Sequence, residues 1–211
     1  MKPALAAGVL RVDLGRELRC LSSAVFGGGL GRVRTWVNLQ VPSGYARTDP
    51  DAHLAEETAG LPGPVLGMLT AAPVDRFQDV VCGTARAFAT VGLGYPVAAA
   101  GELGAPGPAG APAPAGTINI LAVVAAPLTD AGLVGAVQTA VEAKVQALAA
   151  AGVLAGNGPG FATGTASDVI AVACPPGSSV AFAGPATPTG SDLARAVFEA
   201  VRLGSLASGR R

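Results

Sequence analysis

The sequence predicts an α/β or α+β fold, a single compact domain in which a mixed β-sheet is packed with helices and Gly/Thr-rich loops form the site. Three observations carry this prediction. Several short runs alternate apolar and polar residues with period two, two longer runs follow the helical period, and the two kinds of run interleave along the chain. With 211 residues, one domain over 1–211 with a full core is the expected organisation.

Residues 1–10 hold a basic residue and a short apolar stretch, but Arg11 and Asp13 interrupt it before a signal-peptide core is complete, so it reads as part of the domain. Leu10, Val12 and Leu14 alternate with polar neighbours, Gly15-Arg16 intervenes, and Leu18, Cys20 and Ser22 alternate again, which predicts a hairpin. Gly27-Gly28-Gly29 is a loop. Val33, Thr35, Val37, Leu39 and Val41 then alternate with Arg34, Trp36, Asn38 and Gln40, a strand with one polar face. Asp49-Pro50 offers an N-cap followed by proline at the first helical position, placing His53, Glu56 and Glu57 on a short helix. Residues 65–70 read as a buried strand, 73–78 as a turn or short helix, and 80–91 as apolar structure that is either helix or strand.

Residues 102–116 are almost wholly Gly, Pro and Ala, a composition that predicts a flexible surface loop because it buries too little to offset its ordering entropy. A strand follows over 117–126, with Ile118 and Ile120 on one face and Thr117 and Asn119 on the other. The spacing of Val134, Val137, Val141, Val145 and Leu148 predicts a helix over 130–151, with Lys144 at the border of the apolar stripe and Glu142 on its other flank. Residues 157–167 form a Gly/Thr loop, 168–173 a buried strand, and 192–203 an amphipathic helix with Leu193, Val197 and Val201 inward.

Composition excludes several function classes. Fourteen Lys+Arg against fourteen Asp+Glu give no net charge, and no basic stripe is present, which argues against nucleic acid and anionic membrane as partners. No apolar run approaches the ~18 residues of a membrane-spanning helix. Three widely separated cysteines argue against a disulfide framework or a metal cluster and suit a reducing cytoplasm. The single histidine, His53, sits among acidic residues on what reads as a solvated helix surface, and one His cannot build a histidine zinc site. Nucleotide-binding glycine motifs are absent. The remaining chemistry lies in uncharged hydroxyls and amides with a few isolated charges. Thr163, Thr165, Ser167 and Asp168 stand at the mouth of an apolar strand, either as a self-capped turn or as an oxyanion-binding loop. Lys144 either extends its amine to water or, desolvated, serves as a base to a hydroxyl.

The segments Leu21-Ser22-Ser23-Ala24-Val25 with Gly28-Gly29-Leu30, Val37-Asn38-Leu39-Gln40-Val41-Pro42, and Gly67-Met68-Leu69-Thr70-Ala71-Ala72 appear in that order. After them come Thr90-Val91-Gly92-Leu93, Gly116-Thr117-Ile118-Asn119-Ile120 and Glu142-Ala143-Lys144. Ala162-Thr163-Gly164-Thr165 with Asp168, then Ala183-Gly184 leading to Thr189-Gly190, complete the set. Together, over residues 20–203, they resemble the adenosylcobinamide amidohydrolase (CbiZ) family of cobalamin salvage. The chain departs from the family pattern at Gly94-Tyr95-Pro96 and Pro185-Ala186, and carries Ser167 where Thr is frequent.

The resemblance implies hydrolysis of the amide joining the aminopropanol arm to the corrin ring of adenosylcobinamide, with release of adenosylcobyric acid. It implies a small-molecule corrinoid substrate that brings its own cobalt, and no further cofactor or metal. The catalytic candidates are Glu142, Lys144, Thr163, Thr165 and Asp168, and the substrate-binding candidates are Ser22, Ser23, Asn38, Thr70, Thr117 and Asn119. The helix around Lys144 is expected to pack so that Glu142 or Lys144 meets the 163–168 loop, with Asn119 holding the developing oxyanion. Two other functions stay open: a corrinoid-binding protein without catalysis, and an amidase for a different amide. A homo-oligomer is compatible with the sequence.

Overall fold

The computed structural model describes residues 1–102 and 116–209. Of the predicted flexible loop, residues 103–115 lie outside the described residues. Among the described residues eight strands form one mixed sheet: β1 (Lys2–Ala6), β2 (Val9–Ser22), β3 (Gly29–Gln40), β4 (Val65–Thr70), β5 (Gln78–Cys82), β6 (Ala85–Gly92), β7 (Thr117–Val124) and β8 (Val169–Cys174). Three α-helices occur among the described residues: α1 (Pro50–Glu57), α2 (Asp130–Ala150) and α3 (Pro188–Ala207). The order across the sheet is β4-β3-β2-β8-β7-β6-β5. β3/β4 and β7/β8 run parallel and the other neighbours antiparallel. The architecture is α/β.

The expected hairpin at 10–22 is instead a single strand, β2. Its apparent turn, Gly15-Arg16, lies in a bulge that shifts the register against β3 between Asp13 and Leu18. Gly15 has φ +76°, a left-handed conformation that glycine adopts without Cβ strain, and its N–H donates to Asp13 Oδ1 at 2.7 Å. This long strand serves three neighbours: β3 along one edge, and β1 and then β8 along the other.

The sheet rolls up. β3 and β7 are separated in the sheet by β2 and β8, yet Asn119 of β7 donates to Asn38 of β3. Trp36 of β3 likewise lies 6.3 Å from Phe88 of β6, centroid to centroid. The inside of the roll is an apolar core that includes Leu10, Val12, Trp36, Met68, Phe88 and Leu121. Of the predicted polar face of β3, Trp36 and Asn38 are fully buried inside the roll, Arg34 is half-buried and Gln40 is exposed.

A second core lies between the outer face of β5–β8 and the two long helices. The helix predicted at 130–151 is present, but its inward face differs from the expected stripe. Of the expected stripe, Leu148 is buried, Val137 and Val145 are half-buried, and Val134 and Val141 are exposed; the buried face also includes Leu133, Ala136, Ala140, Ala143, Lys144 and Ala147. Small side chains let α2 pack closely against α3, whose Leu193, Val197 and Val201 are buried as the sequence predicts. α1 lays Leu54 on Leu39 and Val41. Asp49 occupies the N-cap position of α1 but makes no capping hydrogen bond, because its carboxylate is engaged by Arg47. Residues 80–91, ambiguous in sequence, lie in the β5–β6 hairpin.

Candidate active site

The roll has two ends, each with a cavity. At the end formed by the start of β6 and the finish of β7, a cavity of about 490 Å³ is lined by Leu14, Leu18 and Val81 with Arg16 and Arg86. Arg86 is committed to Asp79 through two hydrogen bonds of 2.8 and 2.7 Å. The opposite end, where β4 finishes and β7 and β8 begin, holds the residues that the sequence singles out.

Asp168 is the centre of that end. Its Oδ1 accepts from the Ile118 N–H (3.0 Å), the Thr165 N–H (3.2 Å) and the Thr165 hydroxyl (2.5 Å). Its Oδ2 accepts from Lys144 Nζ at 2.5 Å and again from the Thr165 N–H at 3.1 Å. Lys144 and Asp168 side chains are only 9% and 10% exposed, so this is a buried ion pair with its lone pairs occupied. Gly164 makes the pairing sterically possible: a Cβ there would sit 2.3 Å from Asp168 Oδ2 and 2.7 Å from Lys144 Nζ. The expected meeting of α2 with the 163–168 loop thus takes place through Lys144. Glu142, on the opposite side of the helix, is exposed and takes no part in the cluster.

The other candidates fall into three groups. Thr163 pins the neighbouring loop, its hydroxyl accepting from Ala99 N–H at 2.8 Å. Asn38, Thr90 and Asn119 form a buried chain inside the roll, Asn119 donating to Asn38 Oδ1 and Asn38 to Thr90 Oγ1, each at 2.8 Å. Asn119 Nδ2 also donates to the Leu69 carbonyl at 2.8 Å, so both its N–H groups are used and the expected oxyanion role has no donor left. Its Oδ1 is without a partner among the described residues. Ser22 Oγ accepts from the Ala24 N–H at 3.1 Å, and Ser23 clasps Ile170 through backbone and side chain.

Thr70 and Thr117 do reach a cavity. With Ser167 they supply hydroxyls to a pocket of about 260 Å³, walled by Val25, Val41, Tyr45, Met68 and Val169. Thr117 Oγ1 and Ser167 Oγ lie 2.8 Å apart and either can donate; Ser167 Oγ can also donate to the Gly116 carbonyl at 3.3 Å, a long bond that a ligand oxygen in the pocket would replace. Thr70 Oγ1 accepts from the Ala72 N–H at 3.0 Å and donates to no group among the described residues. The pocket adjoins the ion pair, since Ser167 precedes Asp168 and Thr117 precedes Ile118.

Sequence reasoning missed two members of this region. Tyr45 lines the pocket and its hydroxyl lies 3.0 Å from His53 Nδ1, with the two rings stacked at 5.6 Å. His53, read from the sequence as solvated, has a side chain only 18% exposed because Tyr45 covers it. Two tyrosines and one histidine in the whole chain were the available signal; the Pro42–Tyr45 turn that brings them together was not legible.

A rolled α/β sheet thus closes one end around a largely apolar pocket that carries several hydroxyls and lies beside a paired charge, a lining that suits an uncharged amphiphilic ligand. The comparisons narrow this class. A family model described as adenosylcobinamide amidohydrolase matches residues 4–210, and the chain belongs to that family. It is 34% identical over 188 residues to an adenosylcobinamide amidohydrolase of Halobacterium salinarum, covering 85% of this chain and 77% of the relative. It is 31% identical over 189 residues to one of Methanosarcina mazei, covering 84% and 85%.

Proposed function

We propose that this chain hydrolyses the amide that joins the aminopropanol arm of adenosylcobinamide to the corrin ring, releasing adenosylcobyric acid, and that the hydroxyl-lined pocket is where it does so. The single observation that supports this placement is the Thr117–Ser167 hydroxyl pair facing the pocket beside Thr70. Hydrolysis of an amide develops negative charge on its carbonyl oxygen, and hydroxyl donors in a water-poor pocket stabilise that charge. A volume of about 260 Å³ lies below the ~300–1,000 Å³ of pockets that enclose a drug-sized ligand, so it suits the arm and its amide. The macrocycle would then rest on the exposed rim around Val25 and Pro42.

In this reading Lys144, Asp168 and Thr165 hold the pocket wall in place. A general base needs a free lone pair; the carboxylate's are taken, and an ammonium has none. Thr165 and Asp168 have the spacing of a nucleophile and its base, but Thr165 lies outside the pocket lining. Thr163 and Glu142 are likewise assigned no chemical step, and Ser22, Ser23, Asn38 and Asn119 support the pocket from behind. The step proposed here uses no metal held by the protein; its polar groups are the hydroxyls of Ser43, Tyr45, Thr70, Thr117 and Ser167 on an otherwise apolar wall. Three free cysteines support a reducing, cytoplasmic setting, and no helix among the described residues is long and apolar enough to cross a membrane.

The saturation of Asp168 favours one competing reading, a protein that binds the corrinoid without turning it over. Incubation of purified protein with adenosylcobinamide, followed by mass analysis, separates the two. Amidohydrolysis yields adenosylcobyric acid and the free amine; bound but unaltered adenosylcobinamide would establish the competing reading.

A further inference from the structure

We propose that Tyr45 and His53 form the proton relay of this pocket, with the Tyr45 hydroxyl meeting the reacting groups and His53 storing the proton behind it. The inference rests on the pocket being the hydrolytic site and supplies the base that the Asp168 cluster lacks. Tyr45 lines the pocket, its hydroxyl lies 3.0 Å from His53 Nδ1, and ring stacking fixes the pair.

The carboxylates around His53 differ in how they are engaged. Glu57 Oε1 stands 3.9 Å from Nε2, one helical turn away on α1. Two more carboxylates, Asp49 and Glu56, are nearby, but Arg47 binds both, at 2.9–3.0 and 3.1–3.4 Å. Hydrogen bonds from Arg47 hold both carboxyls below the usual range, so they stay ionised with their charge offset. The strand beneath α1, β4, carries no ionisable side chain. Glu57 is thus the carboxylate beside His53 that Arg47 does not bind.

The step balances. Neutral His53, protonated on Nε2, accepts the Tyr45 proton at Nδ1 while Tyr45 takes a proton from the attacking water, whose oxygen bonds to the amide carbon. The resulting anion is held by the hydroxyls of Thr70, Thr117 and Ser167. On collapse the C–N electron pair goes to nitrogen, Tyr45 protonates that nitrogen, and His53 returns the proton to Tyr45. One water and one amide enter; one carboxylic acid and one amine leave.

The test measures turnover of adenosylcobinamide across pH 5 to 9, with corrinoid affinity and thermal stability, for the wild type, Tyr45→Phe and His53→Gln. Loss of a group used in general acid–base catalysis lowers rate by ~10²–10⁴-fold. Tyr45→Phe is expected to lower kcat by ~100-fold or more with affinity within about threefold. His53→Gln is expected to lower kcat and to remove the limb of the pH profile in the range where imidazoles titrate, ~pH 5–8. Both side chains are partly exposed, so both variants are expected to fold, as unchanged melting temperatures would verify. If the wild type turns over substrate and both variants keep kcat within threefold and the same pH profile, the relay is overturned while the hydrolytic reading stands. If one variant fails to fold, the other decides. If the wild type binds adenosylcobinamide without cleaving it, the hydrolytic reading and the relay fall together.

Discussion

Ser167 and Asp168 are adjacent in the chain and belong to opposite kinds of region. Asp168 is the centre of a closed cluster, bound by Lys144, Thr165 and the Ile118 amide with no capacity left over. Ser167 faces an open pocket with Thr70 and Thr117, where hydroxyl protons can be redirected. The difference teaches that the Lys144–Asp168 pair is engaged by its neighbours, whereas the pocket hydroxyls have bonds that a ligand can replace. A buried ion pair with every lone pair engaged is costly to break and slow to react; a hydroxyl pair beside a cavity is the reverse.

Breaking the closed cluster is expected to have the largest effect. Lys144→Met leaves Asp168 buried without its countercharge, and Asp168→Asn does the same to Lys144; each is expected to cost ~3–5 kcal/mol in denaturant unfolding. The double variant Lys144→Met/Asp168→Leu sharpens the comparison, because an apolar pair of similar volume is often neutral or better. Recovery of most of the lost stability, together with turnover, is expected. Recovery of stability with turnover still ~100-fold down would give the ion pair a chemical role.

A smaller effect is expected at Gly164. A methyl group there would meet Asp168 Oδ2 at 2.3 Å, so Gly164→Ala is expected to lose ~1–3 kcal/mol by overpacking. Alkaline pH acts elsewhere, on the thiol inside the roll. Burial, and secondarily Cys174, pushes the Cys20 thiol from 9.0 up to about 12. Above its ordinary value the unfolded chain releases this proton while the folded one keeps it. The stability it contributes is therefore complete below about pH 9 and is lost as pH rises through 12, which urea midpoints across that range would measure. Chelation is expected to do least: corrinoid-free protein treated with EDTA should keep its melting temperature and its turnover, and loss of either would point to a bound metal.

The closed cluster was partly legible in the sequence and the pocket hardly at all. Lys144 at the edge of a helical stripe and Asp168 at a strand mouth could be proposed as neighbours, because helical and strand periodicity constrain where long side chains reach. The buried face of α2 was misjudged, since alanines such as Ala136 and Ala140 carry little hydrophobic weight in a sequence yet fill a close helix contact. The β2 bulge imitated a hairpin, because Gly15-Arg16 has turn chemistry and only strand pairing decides which occurs. The pocket depends on the roll of the sheet, which brings Thr70 and Thr117 together across 47 positions, and no local pattern encodes that closure.

The most direct measurement is turnover of adenosylcobinamide at saturating substrate by the double variant Thr117→Val/Ser167→Ala. Removing oxyanion donors typically lowers kcat by ~10²–10³-fold, so a loss of ~100-fold or more is predicted, with a melting temperature near the wild type's. A folded double variant with kcat within threefold of wild type would contradict the assignment of the chemistry to this pocket.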